Sequence, residues 1–134
     1  MVAGLLAAGV DVHVLRDPTR GGIAASLTEI AADSNAGILI EEGAVPVPEA
    51  VTAACAFLGL DPLHVANEGK LVAVVPAADA DTALAAIAAD PAGQGAAVIG
   101  TVTAAHPGVL VGRTRLGAQR VIDRPLGEQL PRIC

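Results

Sequence analysis

The chain ends in Leu130-Pro131-Arg132-Ile133-Cys134, with a thiol on its last residue. A terminal cysteine adds little to a core and is open to oxidation or cross-linking, because chain ends are the least ordered part of most domains. Arg132 sets a fixed positive charge near the sulfur, which favours thiolate, and Pro131 fixes its own φ and disfavours helix at Leu130. These features predict a reactive group on an arm; the bland alternative is a chance terminal residue. Two further segments interrupt the hydrophobic pattern. Arg16-Asp17-Pro18-Thr19-Arg20-Gly21-Gly22 falls between a predicted strand and a predicted helix. Its glycines would let the backbone approach a ligand and its helix start would attract an anion. A plain helix cap through Asp17 or Thr19 is the other reading. The GxxxxGK[ST] spacing of a phosphate-binding loop is missing. Ala66-Asn67-Glu68-Gly69-Lys70 precedes the most apolar run. On an extended strand Glu68 and Lys70 share a side and would bring a base and a cation to one site. A surface turn with a weak Glu–Lys pair is the alternative.

The remaining chemistry is sparse. Cys55 sits in an apolar helical stretch and reads as an inert buried thiol. Two cysteines make no disulfide framework, which suggests a reducing cytoplasm. His13, His64 and His106 have no ligand spacing with either cysteine, so no metal is expected, and His64 and His106 read as ordinary loop residues. Phe57 is the sole aromatic residue and the net charge is −6. Stacking on bases and neutralising a phosphate backbone are both disfavoured, so no nucleic acid is expected. No run is long and apolar enough to span a membrane.

These groups must be positioned by elements that alternate along the 134 residues. Met1 to Gly9 reads as the end of a core helix. Strands are predicted at Val12–Leu15, Gly37–Glu41, Leu71–Val75, Ala96–Val102, Val109–Val111 and Gln119–Ile122. Helices are predicted at Gly21–Asp33, Pro48–Leu58 and Asp79–Ala89. The pattern predicts an α/β fold, a mixed β-sheet flanked by helices, with an extended C-terminal tail. Leu71–Val75 and Ala96–Val102 suit central strands buried on both faces.

In chain order, Arg-Asp-Pro-Thr-Arg-Gly-Gly, then Asp61-Pro62 with Ala-Asn-Glu-Gly-Lys, then Leu-Pro-Arg-Ile-Cys resemble the HypE family of hydrogenase maturation proteins, within the AIR synthase-related superfamily. The likeness runs from about Leu15 to Cys134 and includes Ile99-Gly100 and the basic strand near Arg120. It implies an ATP-dependent carbamoyl dehydratase. The terminal cysteine, here Cys134, receives a carbamoyl group from the carbamoyltransferase HypF. The resulting thiocarboxamide is dehydrated to a thiocyanate, and the cyano group passes to iron on the HypC–HypD complex for [NiFe] hydrogenase. Glu68 matches the family's glutamate and is the candidate base. Arg16, Asp17, Thr19, Arg20, Gly21, Gly22, Asn67 and Lys70 are candidates for binding the nucleotide or its phosphates. The resemblance also implies ATP and Mg in the full-length protein, admits a homodimer, and places the protein in the cytoplasm.

By the same resemblance, residues 1–123 form the C-terminal α/β domain and 124–134 a flexible tail. The family's N-terminal ATP-binding domain is absent, so no cofactor is expected on this fragment and the fragment alone is expected to be inactive. Two other readings stay open. One is a carrier or docking domain that only presents Cys134. The other is a sibling ATP-dependent synthetase of the selenophosphate or aminoimidazole ribonucleotide type, in which the terminal cysteine is incidental.

Overall fold

The computed structural model describes residues 1–124. Its main elements are α1 (Val2–Ala7), β1 (Val14–Arg16), α2 (Gly22–Ser34), β2 (Gly37–Glu41), α3 (Glu49–Leu58), β3 (Val72–Val74), α4 (Ala80–Ala88), β4 (Gly100–Thr103), β5 (Leu110–Arg113) and β6 (Gln119–Val121). They fall into two compact units, each drawn from two stretches of chain: Met1–Arg16 with Leu71–Val98, and Asp17–Lys70 with the chain from Ile99 onward.

In the first unit β1 and β3 pair antiparallel, with Leu15 opposite Ala73 and Arg16 opposite Val72. Helices α1 and α4 close over a small core of Leu5, Val10 and Ala83, joined by Val12, Val75 and Ile87. Alanine is the best helix former, and six of the eleven residues of Asp79–Ala89 are alanine.

The second unit is built on a four-stranded sheet in the order β4-β2-β5-β6. β2 runs parallel to β5 and antiparallel to β4, and β6 returns antiparallel on β5. Helix α2 lies against β2 and β5. Its Ala24, Leu27 and Ala31 are buried, as are Ile38 and Ile40 of β2, Leu110 of β5 and Ile122 just after β6. A mixed sheet with helical cover therefore holds as the fold class. Helix α2 ends where Asn35 takes a left-handed conformation at φ 50°, which asparagine tolerates better than most residues.

Two expected central strands are not central. β3 is half-buried throughout and, among the described residues, has only β1 as a partner. The run Ala96–Val102 enters the sheet only at Gly100 and forms its edge, leaving Val98 54% and Val102 50% exposed. The alanines at its start offer too little side chain to reward burial. Gly100 packs so closely on the Leu39 carbonyl that a Cβ would collide with it. Cys55 is buried at 5% exposure, as expected, yet it is the one buried residue of α3. Phe57 on the same helix is 90% exposed.

Candidate active site

Most of the predicted site residues lie in the second unit, where a short stretch from Asp61 to Asn67 gathers them. The stretch begins with a 3-10 turn, Pro62–His64, capped by Asp61: its carboxylate accepts the Leu63 N–H at 3.0 Å. Proline at the first position suits this, since its missing N–H would be unpaired there anyway. The backbone of the turn packs onto the start of α2. Gly22 sits there at φ 63°, and a Cβ on it would stand 2.5 Å from the carbonyl oxygens of both Leu63 and Val65. Gly22 thus makes room for protein backbone, a reason for glycine at this position beside the expected approach to a ligand. The cap reading is corrected. Gly21, at φ 69°, is the N-cap of α2, and no side chain caps the helix. Thr19 instead donates its hydroxyl to Asp17 at 2.8 Å.

Asn67 completes the junction. Its N–H lies 3.2 Å from the Pro18 carbonyl and 3.1 Å from the Thr19 carbonyl. The loop Asp17–Gly22 and the Asn67–Lys70 segment, distant in sequence, are thus pinned together by main-chain hydrogen bonds. Glu68 and Lys70 stand exposed beyond that pin. They do not lie on a strand. Gly69 turns the chain at φ 71°, so the alternation that would set the two side chains on one side does not operate here. Arg20 is exposed in the same unit, whereas Arg16 belongs to β1 of the first unit. Cys134 lies outside the described residues.

A polar chain that the sequence reading missed borders this junction. Arg120 on β6 donates Nε–H to Glu42 at 2.6 Å and a terminal N–H to Asp61 at 2.7 Å. Burial pushes the Asp61 carboxyl up. The Arg120 hydrogen bond, the Leu63 N–H and the charges of Arg120 and His64 outweigh it and hold the carboxyl below its ordinary value of 3.8. The hydrogen bonds from Arg120 to Glu42 and Asp61 raise the guanidinium further above its ordinary value. Gly112, opposite Arg120 in the β5–β6 register, leaves room for Glu42: a Cβ there would come within 2.5 Å of its carboxylate. His64 is not an ordinary loop residue. Its side chain is 13% exposed, with Nδ1 3.8 Å from Asp61 and Nε2 3.2 Å from the Asp123 carbonyl. The sequence signal was Asp61 three residues before His64, at the start of a proline-led turn. Among the described residues no group of three His, Cys, Asp or Glu could hold a metal ion. No helix among them is long and apolar enough to cross a membrane.

Residues 1–112 match the family model described as AIR synthase related protein, C-terminal domain. The chain belongs to that family. Among curated proteins, the AIR synthase-related domain of this chain is 52% identical over 134 residues to the carbamoyl dehydratase HypE of Azotobacter vinelandii, covering all of this chain and 39% of that protein. A solved hydrogenase maturation protein HypE in complex with ATP superposes with a TM-score of 0.85 at 51% identity, covering 92% of this chain and 38% of that one. The HypE in a HypE–HypF complex gives 0.87 at 43% identity, covering 92% and 40%. The chain spans about 39% of the length of the curated relative it matches. It corresponds to the C-terminal domain of these HypE relatives.

Proposed function

We propose that this domain, within its full-length protein, serves as the carrier and base-bearing part of an ATP-dependent carbamoyl dehydratase that makes the cyanide ligand of [NiFe] hydrogenase. The observation that carries the reading is full coverage of the chain, terminal cysteine included, by a relative of that name at 52% identity. The pinning of Asn67 to the Pro18 and Thr19 carbonyls supports it, since it sets Glu68 beside the Asp17–Gly22 loop. HypF, the partner in one related structure, would load a carbamoyl group onto Cys134. ATP, bound in another, would phosphorylate the amide oxygen of the thiocarboxamide and leave ADP. A base takes one nitrogen proton as the oxygen–phosphorus bond forms. Loss of the second proton and of phosphate then gives the S–C≡N group, so the oxygen departs as phosphate. Glu68 is the proposed base, a role worth about 10²–10⁴-fold. Arg20 and Lys70 would balance phosphate charge, with Mg accompanying the nucleotide. The HypC–HypD complex would receive the cyano group in the cytoplasm. Residues 1–123 would act as the folded domain and 124–134 as the arm. Because the substrate is tied to the protein, docking it costs only loop closure.

The test is to incubate the full-length protein with HypF, carbamoyl phosphate and ATP, and to weigh its C-terminal peptide. Cys134 should first gain a carbamoyl group and then lose one water. A carbamoyl group that stays intact would leave a carrier domain. No modification at Cys134 would overturn the reading.

A further inference from the structure

Arg120 holds two carboxylates with one guanidinium. Its Nε–H goes to Glu42 Oε1 at 2.6 Å and a terminal N–H to Asp61 Oδ2 at 2.7 Å. The other Asp61 oxygen accepts the Leu63 N–H at 3.0 Å. Both oxygens of Asp61 are thereby committed, which fixes the plane of the carboxylate as well as its position. The far side of the fork is anchored to the sheet. Arg120 lies on β6, opposite Gly112 of β5. Glu42 opens the short turn after β2, and its carboxylate takes the space that a Cβ on Gly112 would enter. Glycine inside a strand weakens it, so the seat for Glu42 comes at a cost to β5.

We infer that Arg120 and Asp61 are positioning residues for Glu68, holding from the sheet the stretch of backbone on which that base stands. Contacts fix every second residue of the stretch. Asp61 is held by Arg120, and Leu63 donates its N–H to Asp61. The carbonyls of Leu63 and Val65 lie against Gly22 at the start of α2. The Asn67 N–H meets the Pro18 and Thr19 carbonyls, and Glu68 is the next residue. The Asn67 end rests on backbone atoms alone. The Asp61 end rests on a pair of side chains, so it is the end that the residue types specify.

Magnitudes decide what the pair does. Arg120 is 43% exposed and Asp61 30%, and ion pairs so open to water add little stability. Placement is worth more. A reacting group on a turn needs rigid support, and displacing it by about 1 Å can cost about 10²-fold in rate. Removing the guanidinium would also leave Glu42 and Asp61 close together with no cation between them. Their repulsion would push Asp61 off its hydrogen bond to Leu63.

This role rests on the function proposed above, and the experiment separates the two. The full-length protein is loaded with HypF and carbamoyl phosphate, and single-turnover water loss at Cys134 is followed by mass after adding ATP. Arg120→Met should slow water loss about tenfold while loading by HypF keeps its rate. Asp61→Asn keeps an oxygen for the Leu63 N–H but loses the charge that binds Arg120, and should slow it equally. The two changes together should be no slower than either alone. In a Glu68→Gln background, Arg120→Met should slow the residual rate by less than about twofold, because no base is left to place. Arg113→Met removes an equal charge from the Arg113–Glu41 pair on β5 and should leave the rate unchanged. Amide hydrogen exchange in Arg120→Met should quicken at Leu63 and Asn67 but not in β2. Wild-type water loss in Arg120→Met, or a full tenfold slowing in the Glu68→Gln background or in Arg113→Met, would overturn the assignment. If wild-type Cys134 never carries a carbamoyl group, it is the proposed function that fails. Exchange in Arg120→Met then decides the hold: quickened at Leu63 and Asn67 it stands, unchanged it is refuted.

Discussion

At Gly22 two constraints act on one Cα: a φ of 63° and carbonyl oxygens 2.5 Å from where a Cβ would stand. Gly59 shares the left-handed conformation, at φ 69°, but has open space around it. Gly59→Ala should therefore cost only the conformational term of about 1–2 kcal/mol. Gly22→Ala should cost at least about 3 kcal/mol, because backbone rather than a flexible side chain must give way. Urea denaturation of the two variants checks the difference. Glu68→Gln keeps the size and polarity of an exposed side chain but cannot take a proton at neutral pH. In the full-length protein it should fold normally, accept the carbamoyl group on Cys134 and accumulate it; thiocyanate formed at the wild-type rate would make Glu68 a turn residue only. Cys55, at 5% exposure, should resist alkylation in the native protein and react on unfolding. Cys55→Ala should cost about 1 kcal/mol through the void it leaves.

Among elements, the Pro62–His64 turn depends on one side chain for several tasks. Asp61 caps it, holds Arg120 and faces His64. Asp61→Ala should destabilise by about 1–2 kcal/mol, as lost caps do. The pH dependence has a definite sign. The Asp61 carboxyl is held below its ordinary value in the folded chain. Its contribution is therefore complete above the unfolded value, near pH 4, and is lost as pH falls through the lower folded one. Wild type should lose stability on acidification below about pH 4 more steeply than Asp61→Asn, measured by urea midpoints. The elements were unevenly legible. Gly37–Glu41 is a strand in sequence and structure because Ile38 and Ile40 alternate into the core. Helix α3 could be read from Pro48 and Gly59 at its two ends, which act locally. The edge position of β4 could not, because an apolar run carries no sign of how many neighbours it will have. Nor could the turn at Asn67–Lys70, whose pin to Pro18 and Thr19 is made by backbone atoms common to every residue type. The likeness to a family pointed to Glu68 and Cys134, whereas the contacts of His64 with Asp61 and Asp123 exist only in the folded chain.

For the whole molecule, the 134-residue chain alone should not hydrolyse ATP. It has no GxxxxGK[ST] loop, and the relative it matches is more than twice as long. Stoichiometric phosphate release by the purified chain would refute this. The division into two units has a further consequence, because neither is continuous. β2 finds its neighbours β4 and β5 only after Leu71–Val98, the second stretch of the other unit, has been made. Its pairings close long loops before any ladder hydrogen bond rewards them, which raises contact order and slows folding. During synthesis on the ribosome both edges of Gly37–Glu41 remain unpaired while the next sixty or so residues emerge, roughly three to twelve seconds at ordinary elongation rates. In that interval the apolar strand is open to pairing with other chains, so the nascent protein should be a better chaperone client than the finished fold suggests.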